Sequence, residues 1–139
     1  MAHRGSAAEV TVVSKYLGIV RYTGILTLTD MLFLAPRVLS LTDELDPVLV
    51  VDYTCCMPAL TVDDLMAVVL TYRHRRGRVM ALVVPRQYAD MYRQFAWEGA
   101  RHGKLRAVFT DFSEAVVWAQ DQALDRCCLM AGDPAMCEV

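Results

Sequence analysis

Runs of apolar residues alternate along the chain with segments of helical periodicity, and the runs predict the strands. Residues 10–13 and 19–27 are rich in β-branched side chains and flank a short turn, which predicts a β-hairpin. Residues 48–51 and 79–84 are unbroken apolar runs, which are typical of strands covered on both faces. A shorter run at 105–109 predicts the last strand. We therefore expect the two unbroken runs at the centre of a sheet.

The segments between these runs carry apolar residues at helical spacing, and three of them begin at pairs of capping residues. In such a pair, two side chains three positions apart satisfy backbone N–H groups at the start of a helix. The pairs are Thr27 with Asp30, Thr61 with Asp64, and Asp111 with Glu114. We expect helices over about 28–40, 61–76 and 87–102 and from 112 onward, with Pro36 as a kink or early break in the first.

The order of these elements, β-β-α-β-α-β-α-β-α, predicts an α/β fold. Alternation of this kind gives a mixed, largely parallel central sheet, here of about five strands, packed against about four helices. The length of 139 residues fits one domain that buries roughly 70% of the surface of its unfolded chain. We assign residues 1–9 to a flexible N-terminus, 10–124 to the domain and 125–139 to a C-terminal tail.

Composition narrows the setting in which the domain works. A hydrophobic fraction of 55% and a mean hydropathy of +0.30 suit a buried sheet, an apolar ligand site or a homodimer interface. No apolar run reaches the roughly 18 to 20 residues that cross a bilayer, and residues 1–9 lack the apolar core of a secretory signal. With a net charge of −2, the basic run at 73–78 favours a helix end over a nucleic-acid site. We expect a cytoplasmic protein without membrane insertion and without a nucleic-acid partner.

Residues that could support catalysis or bind a metal form no recognisable motif. The five cysteines include two vicinal pairs but no C-x-x-C spacing, which favours reduced thiols over a metal site. The histidines stand beside no evident nucleophile, and the glycines are too scattered for a phosphate-binding loop. We predict a protein without catalytic residues, metal or cofactor. The alternatives, a Cys55–histidine pair or a cysteine site completed by His74 or His102, need distant segments to converge.

Four motifs, in this order and spacing, resemble the STAS domain over about residues 10–122. They are 22–27 before a helix, 48–52 before a loop and helix, 76–79 before a strand, and 109–115 before the last helix. The pattern is similar both to anti-sigma-factor antagonists and to the SpoIIAA-like branch of the STAS and Sec14-related superfamily. The resemblance implies a bacterial, non-catalytic regulatory domain that binds another regulatory protein of the kinase or anti-sigma type.

The resemblance also implies residues for partner docking or phosphorylation. In anti-sigma-factor antagonists, a strand that ends in Asp leads to a helix start where a Ser is phosphorylated. Here Asp52 ends the strand, Thr61 lies nearest the phosphorylated position, and Asp63 and Asp64 follow it. Because the motif lacks both the Ser and the Gly, we expect the usual serine switch to be absent. The alternative role of Thr61 is a helix cap, which we favour.

The relation to Sec14-type lipid-binding domains implies a second function, a binding module for an apolar small molecule or lipid. Such pockets are lined mainly by apolar and aromatic side chains. The third helical segment carries a set of this kind, consisting of Tyr88, Met91, Tyr92 and Phe95. These side chains are candidates for one wall of a ligand cavity, and their alternative role, which we favour, is to pack in the core.

Overall fold

A central sheet organises the fold, which a computed structural model describes for residues 6–42, 47–71 and 79–131, with side chains for 6–38, 47–71 and 79–125. The described strands are β1 (Ala7–Ser14), β2 (Leu17–Leu26), β3 (Val48–Asp52), β4 (Cys56–Pro58), β5 (Val79–Val83) and β6 (Leu105–Phe109). The described helices are α1 (Leu28–Thr42), α2 (Val62–Thr71), α3 (Ala89–Ala100) and α4 (Phe112–Ala131), with a 3-10 helix at Arg86–Tyr88. None of the described helices has the length and apolar content to span a membrane.

The sheet has the strand order β1-β2-β3-β5-β6 and is largely parallel. Only the β1–β2 hairpin is antiparallel among the described pairs, and β4 adds a parallel pairing to the far half of β2. All five residues of β3 are buried, as the unbroken apolar run predicts for the middle strand. The expected mixed α/β sheet with β3 and β5 at its centre is confirmed.

The two faces of the sheet carry different layers because successive side chains of a strand point to opposite sides. Leu49 and Val51 of β3 pack in a large core with α1, α2 and α3. Val48 and Val50 pack on the opposite face against α4. The fully buried residues of α4 are alanines, accompanied by larger side chains that are partly buried, whereas the core on the first face includes several buried aromatic groups.

The segment 53–60 differs from the sequence expectation. We expected a loop there, but Cys56–Pro58 forms the short strand β4, in register with Gly24–Leu26. Three residues are too few for a periodic pattern to reveal. Pro58 ends this edge strand, a position at which a missing N–H costs no ladder hydrogen bond.

Several element ends also differ from the expected ones. Pro36 lies inside α1 without ending it, and the helix continues to Thr42. The third helical segment begins as the 3-10 turn, and α3 proper starts at Ala89. The last helix extends to Ala131, beyond residue 125, where we placed the start of the tail. The expected end of α2, the basic run at 73–78, and His3 and His74 lie outside the described residues.

Candidate functional site

The strand β6 places a charged side chain on the apolar, α1–α3 face of the sheet. Arg106 pairs with Met80 of β5, and Met80 pairs with Leu49 of β3. Because residues paired across neighbouring strands point to the same side, Arg106 faces the same core as the buried Leu49. A guanidinium thus occupies a row of the sheet that is otherwise apolar over these three strands.

A cavity of about 60 Å³ lies between this face of the sheet and helices α1, α2 and α3. Its walls are mainly apolar and aromatic, and include Tyr22, Met31, Val51, Tyr53 and Phe95. Two cationic side chains, Lys104 and Arg106, complete the lining. Lys104 is only 3% exposed although it carries an ammonium group. Charged side chains are rarely this buried, so their presence in an apolar cavity requires a physical reason.

The guanidinium of Arg106 is buried and has hydrogen-bond donors without an acceptor in the described part of the chain. Its Nε and Nη1 atoms are shielded from solvent and have no hydrogen-bond partner among the described residues. Its Cζ lies 4.7 Å from the centroid of the Phe95 ring, a cation–π contact that offsets only part of the desolvation cost. Burial lowers the pKa of Arg106 to about 10. The side chain therefore keeps its positive charge at neutral pH.

A glycine on α3 makes room for this guanidinium. Gly99 is buried, and a side chain there would begin in the space occupied by Nη1 of Arg106. Glycine inside a helix costs about 1 kcal/mol relative to alanine. The missing side chain at position 99 is what allows Arg106 to lie against the helix.

Four aromatic rings extend from the cavity into the core. The ring centroids of Tyr22 and Tyr53 are 5.4 Å apart, those of Tyr53 and Tyr92 are 4.8 Å apart, and those of Tyr92 and Phe95 are 6.2 Å apart. Burial raises the pKa of Tyr53 and of Tyr92 well above the ordinary tyrosine value. Both hydroxyls are therefore neutral, and neither supplies a negative charge to balance Arg106.

Only part of the predicted ligand wall lines the cavity. Of its four residues, Phe95 is in the lining, while Tyr92 is fully buried beside it. Tyr88 and Met91 are partly exposed and pack against the same core. Sequence reasoning missed Arg106, although one signal was available: it is a lone cation inside the short apolar strand β6.

The remaining predicted site residues fall into two separate hydrogen-bonded groups. The carboxylate of Asp52 is 3% exposed as a residue and accepts hydrogen bonds from Arg21 Nε at 3.1 Å and from the backbone N–H and hydroxyl of Thr54 at 2.8 and 2.6 Å. These bonds hold the turn that follows β3. Asp52 is therefore already committed to contacts within the chain.

Thr61 forms the second group with Asp64 at the start of α2. The Thr61 backbone N–H donates to Asp64 Oδ2 at 3.0 Å, and the Asp64 backbone N–H donates to Thr61 Oγ1 at 3.1 Å. This reciprocal pair confirms the predicted helix cap. Asp63 follows Thr61 in the exposed first turn, where its charge complements the helix dipole.

The two described thiols differ in their surroundings. Burial, with smaller contributions from Asp52 and Cys55, raises the pKa of Cys56 to about 11, so this thiol is protonated at neutral pH. Cys56 Sγ also donates a hydrogen bond to the carbonyl oxygen of Tyr53 at 3.3 Å. Cys55 and His102 are exposed. In the part of the chain that the structure describes, no cluster of three His, Cys, Asp or Glu side chains could hold a metal ion.

Comparison with known proteins identifies the fold. No protein-family model and no curated protein sequence matches the chain. The chain is similar to the crystal structure of an uncharacterized protein of the DUF3478 family with a SpoIIAA-like fold, from Shewanella loihica PV-4. The TM-score is 0.57 at 17% sequence identity, and the match covers 86% of this chain and 98% of the other. At this identity the likeness shows the fold, so the SpoIIAA-like architecture inferred from the sequence is confirmed.

Proposed function

We propose that the chain is a non-catalytic binding module for a small apolar molecule held in the cavity between the sheet and helices α1 to α3. The observation that carries the proposal is the cavity itself, a concave space lined by aromatic and aliphatic side chains together with Lys104 and Arg106. Small-molecule sites commonly combine mainly apolar walls with a few convergent polar groups.

The chemistry of the surrounding groups favours binding without reaction. The Cys56 thiol and the Tyr53 hydroxyl both have raised pKa values and are weak nucleophiles at neutral pH. The Asp52 carboxylate is not in the described cavity lining and accepts three hydrogen bonds on the opposite face of the sheet. These groups support a receptor-like role for the cavity rather than catalysis.

The size of the cavity defines suitable probes. On the order of five water-sized groups fit in 60 Å³, which matches a molecule of about four to six non-hydrogen atoms. Butyrate, 1-butanol and butylamine have this size and differ in their polar head. Titration of each into the ¹⁵N-labelled protein should give, for at least one probe, saturable amide shifts at Val51, Val68 and Phe95.

A cavity-filling variant provides the control. Ala35 of α1 lines the cavity, so Ala35→Leu should fill the space and abolish the shifts. Ala100→Leu makes the same change at an exposed position of α3 and should leave binding intact. The proposal fails if no probe saturates these amides, or if Ala35→Leu binds the probes as well as the wild type does.

A second candidate function is docking of another regulatory protein, of the kinase or anti-sigma type that the STAS resemblance implies. It is favoured by an exposed apolar pair: Ile25 of β2 and Met57 of β4 lie in register and are 57% and 61% exposed. Exposed apolar side chains that adjoin one another are typical of interaction surfaces. The pair precedes the exposed start of α2, which carries Thr61 and Asp63.

The docking function can be tested with surface variants of equal charge. Wild type, Met57→Lys and the control Val117→Lys, which alters an exposed residue of α4, serve as baits in a bacterial extract. A captured protein of the kinase or anti-sigma type is then purified and tested again by calorimetry. Binding to the wild type and to Val117→Lys but not to Met57→Lys supports docking at this pair. Equal binding to all three variants, or capture of no such protein, contradicts it.

A further inference from the structure

We propose that the cavity selects a short-chain monocarboxylate, whose carboxylate pairs with the guanidinium of Arg106 while its aliphatic tail lies against the aromatic walls. This inference rests on the binding function proposed above and names the chemical class of the ligand. It follows from three properties of the site: unused donors, uncompensated charge and limited apolar volume.

The first property is the pair of unused hydrogen-bond donors. Arg106 Nε and Nη1 are both buried without an acceptor among the described residues. Leaving buried donors unpaired is costly, so a ligand that supplies acceptors is favoured over one that does not. A planar carboxylate, with two acceptor oxygens, matches a planar guanidinium better than a single hydroxyl does.

The second property is the uncompensated positive charge of Arg106. The described cavity lining contains no carboxylate side chain that could pair with its guanidinium. The Asp52 carboxylate points to the opposite, α4 face of the sheet and is hydrogen-bonded to Arg21 and Thr54. An anionic ligand gains from the Arg106 guanidinium in a site where solvent screening is weak, whereas a cationic ligand of equal size is repelled.

The third property distinguishes a carboxylate from other anions. Most of the cavity wall is apolar, with Met31, Val51 and Phe95 among its side chains. Phosphate or sulfate would press charged oxygens against these side chains, whereas a monocarboxylate confines its charge to one end. A volume of 60 Å³ holds about four to six non-hydrogen atoms and excludes the chain of a long fatty acid.

The test compares ligands that share a four-carbon chain and differ in their polar head group. Dissociation constants of butyrate, 1-butanol and butylamine are measured by the amide shifts of cavity residues at constant ionic strength and pH 7. We expect butyrate to bind at least tenfold more tightly than 1-butanol and butylamine to bind most weakly. Decanoate should bind no more tightly than butyrate, because its tail exceeds the cavity. A decanoate affinity tenfold above that of butyrate would overturn the short-chain assignment.

Variants of Arg106 then assign the selectivity to its guanidinium. Arg106→Met, which keeps an apolar side chain of similar length, should reduce the preference for butyrate over 1-butanol to less than threefold. Arg106→Lys, which keeps the charge but loses the planar donor set, should retain an intermediate preference. If the methionine variant does not fold, the lysine variant and the wild-type ranking decide.

The outcomes separate the two proposals. Equal affinities of the wild type for butyrate and 1-butanol, with saturable shifts at the cavity amides, would overturn the carboxylate inference and leave the binding function standing. An unchanged preference for butyrate in Arg106→Met would also overturn it. Failure of all probes to shift these amides would remove the binding function and the inference together.

Discussion

The Arg106 guanidinium of β6 lies where a side chain at Gly99 of α3 would start. The two residues belong to elements that pack directly on one another in the core around Phe95. A helix position without a side chain and a strand position with a long cation are thus complementary. This relationship predicts that neither residue can be changed without affecting the other.

Gly99→Ala should therefore destabilise the protein, although alanine is the better helix former. The new methyl group would displace the guanidinium, and overpacking of this kind costs about 1 to 3 kcal/mol. The higher helix propensity of alanine offsets about 1 kcal/mol of this destabilisation. We expect a net loss in the free energy of unfolding, measured by urea denaturation. In an Arg106→Met background the same substitution should be neutral or stabilising, and a loss of equal size in both backgrounds would contradict the clash.

Arg106→Met alone should stabilise the fold. It removes a desolvated cation with two unpaired donors, a change expected to gain about 1 to 2 kcal/mol in the absence of ligand. The measurement is the denaturation midpoint in a buffer free of carboxylates. Arg93→Met, at an exposed position of α3, is the control and should change stability by less than about 0.5 kcal/mol. A methionine variant less stable than the wild type would mean that the guanidinium is well compensated.

The cap at α2 gives a prediction in which two substitutions of Thr61 differ. Thr61→Ala removes the acceptor of the Asp64 N–H and should cost about 1 kcal/mol. Thr61→Asp should be close to neutral for folding, since aspartate caps well and suits the helix dipole. Thr29→Ala, at an exposed position of α1, controls for the loss of a threonine. Equal melting temperatures of the wild type and Thr61→Ala would disprove the cap's contribution.

The middle strand should not tolerate a charge. Val50 is fully buried on the α4 face, and an unpaired carboxylate there costs several kcal/mol, a large share of the total stability of about 5 to 15 kcal/mol. We expect Val50→Asp to lose cooperative unfolding in circular dichroism. Val12→Asp places the same charge on β1 at a position 71% exposed and should fold normally. Cooperative melting of both variants would contradict the buried position of β3.

The raised pKa of Cys56 predicts its reactivity. With a pKa of about 11, only about one thiol in a thousand is ionised at pH 8, so alkylation by iodoacetamide should be slow. The rate should rise about tenfold per pH unit until the pH approaches 11. The raised pKa of Cys56 also makes the free energy of unfolding depend on pH. Its stabilising contribution is fully present below the unfolded-state pKa of about 8.5 and is lost as the pH rises towards 11. Tandem mass spectrometry of the modified peptide gives the rate at Cys56 separately from Cys55. A rate that levels off near pH 8 would contradict burial of this thiol.

The elements that the sequence predicts correctly depend on contacts within a few residues. The caps at Thr27 and Thr61 need only a partner three positions away, and both form as expected. The buried runs in β3 and β5 can be recognised in the sequence because a strand covered on both faces must be apolar at nearly every position. Together with the alternation of elements, these local signals were enough for the α/β class and the SpoIIAA-like fold.

The candidate site depends instead on residues that lie far apart in the chain. Arg21 and Asp52 are separated by 31 positions, and the cavity joins side chains from β2, β3, β5, α1, α2 and α3 with Lys104 and Arg106. Whether Arg106 points into this core or away from it depends on the register of β6 against β5, since a shift of one residue reverses every side chain. Local periodicity is nearly the same in either register. The sequence therefore determined which segments become strands and helices, while tertiary packing decided that a buried cation would face an apolar cavity.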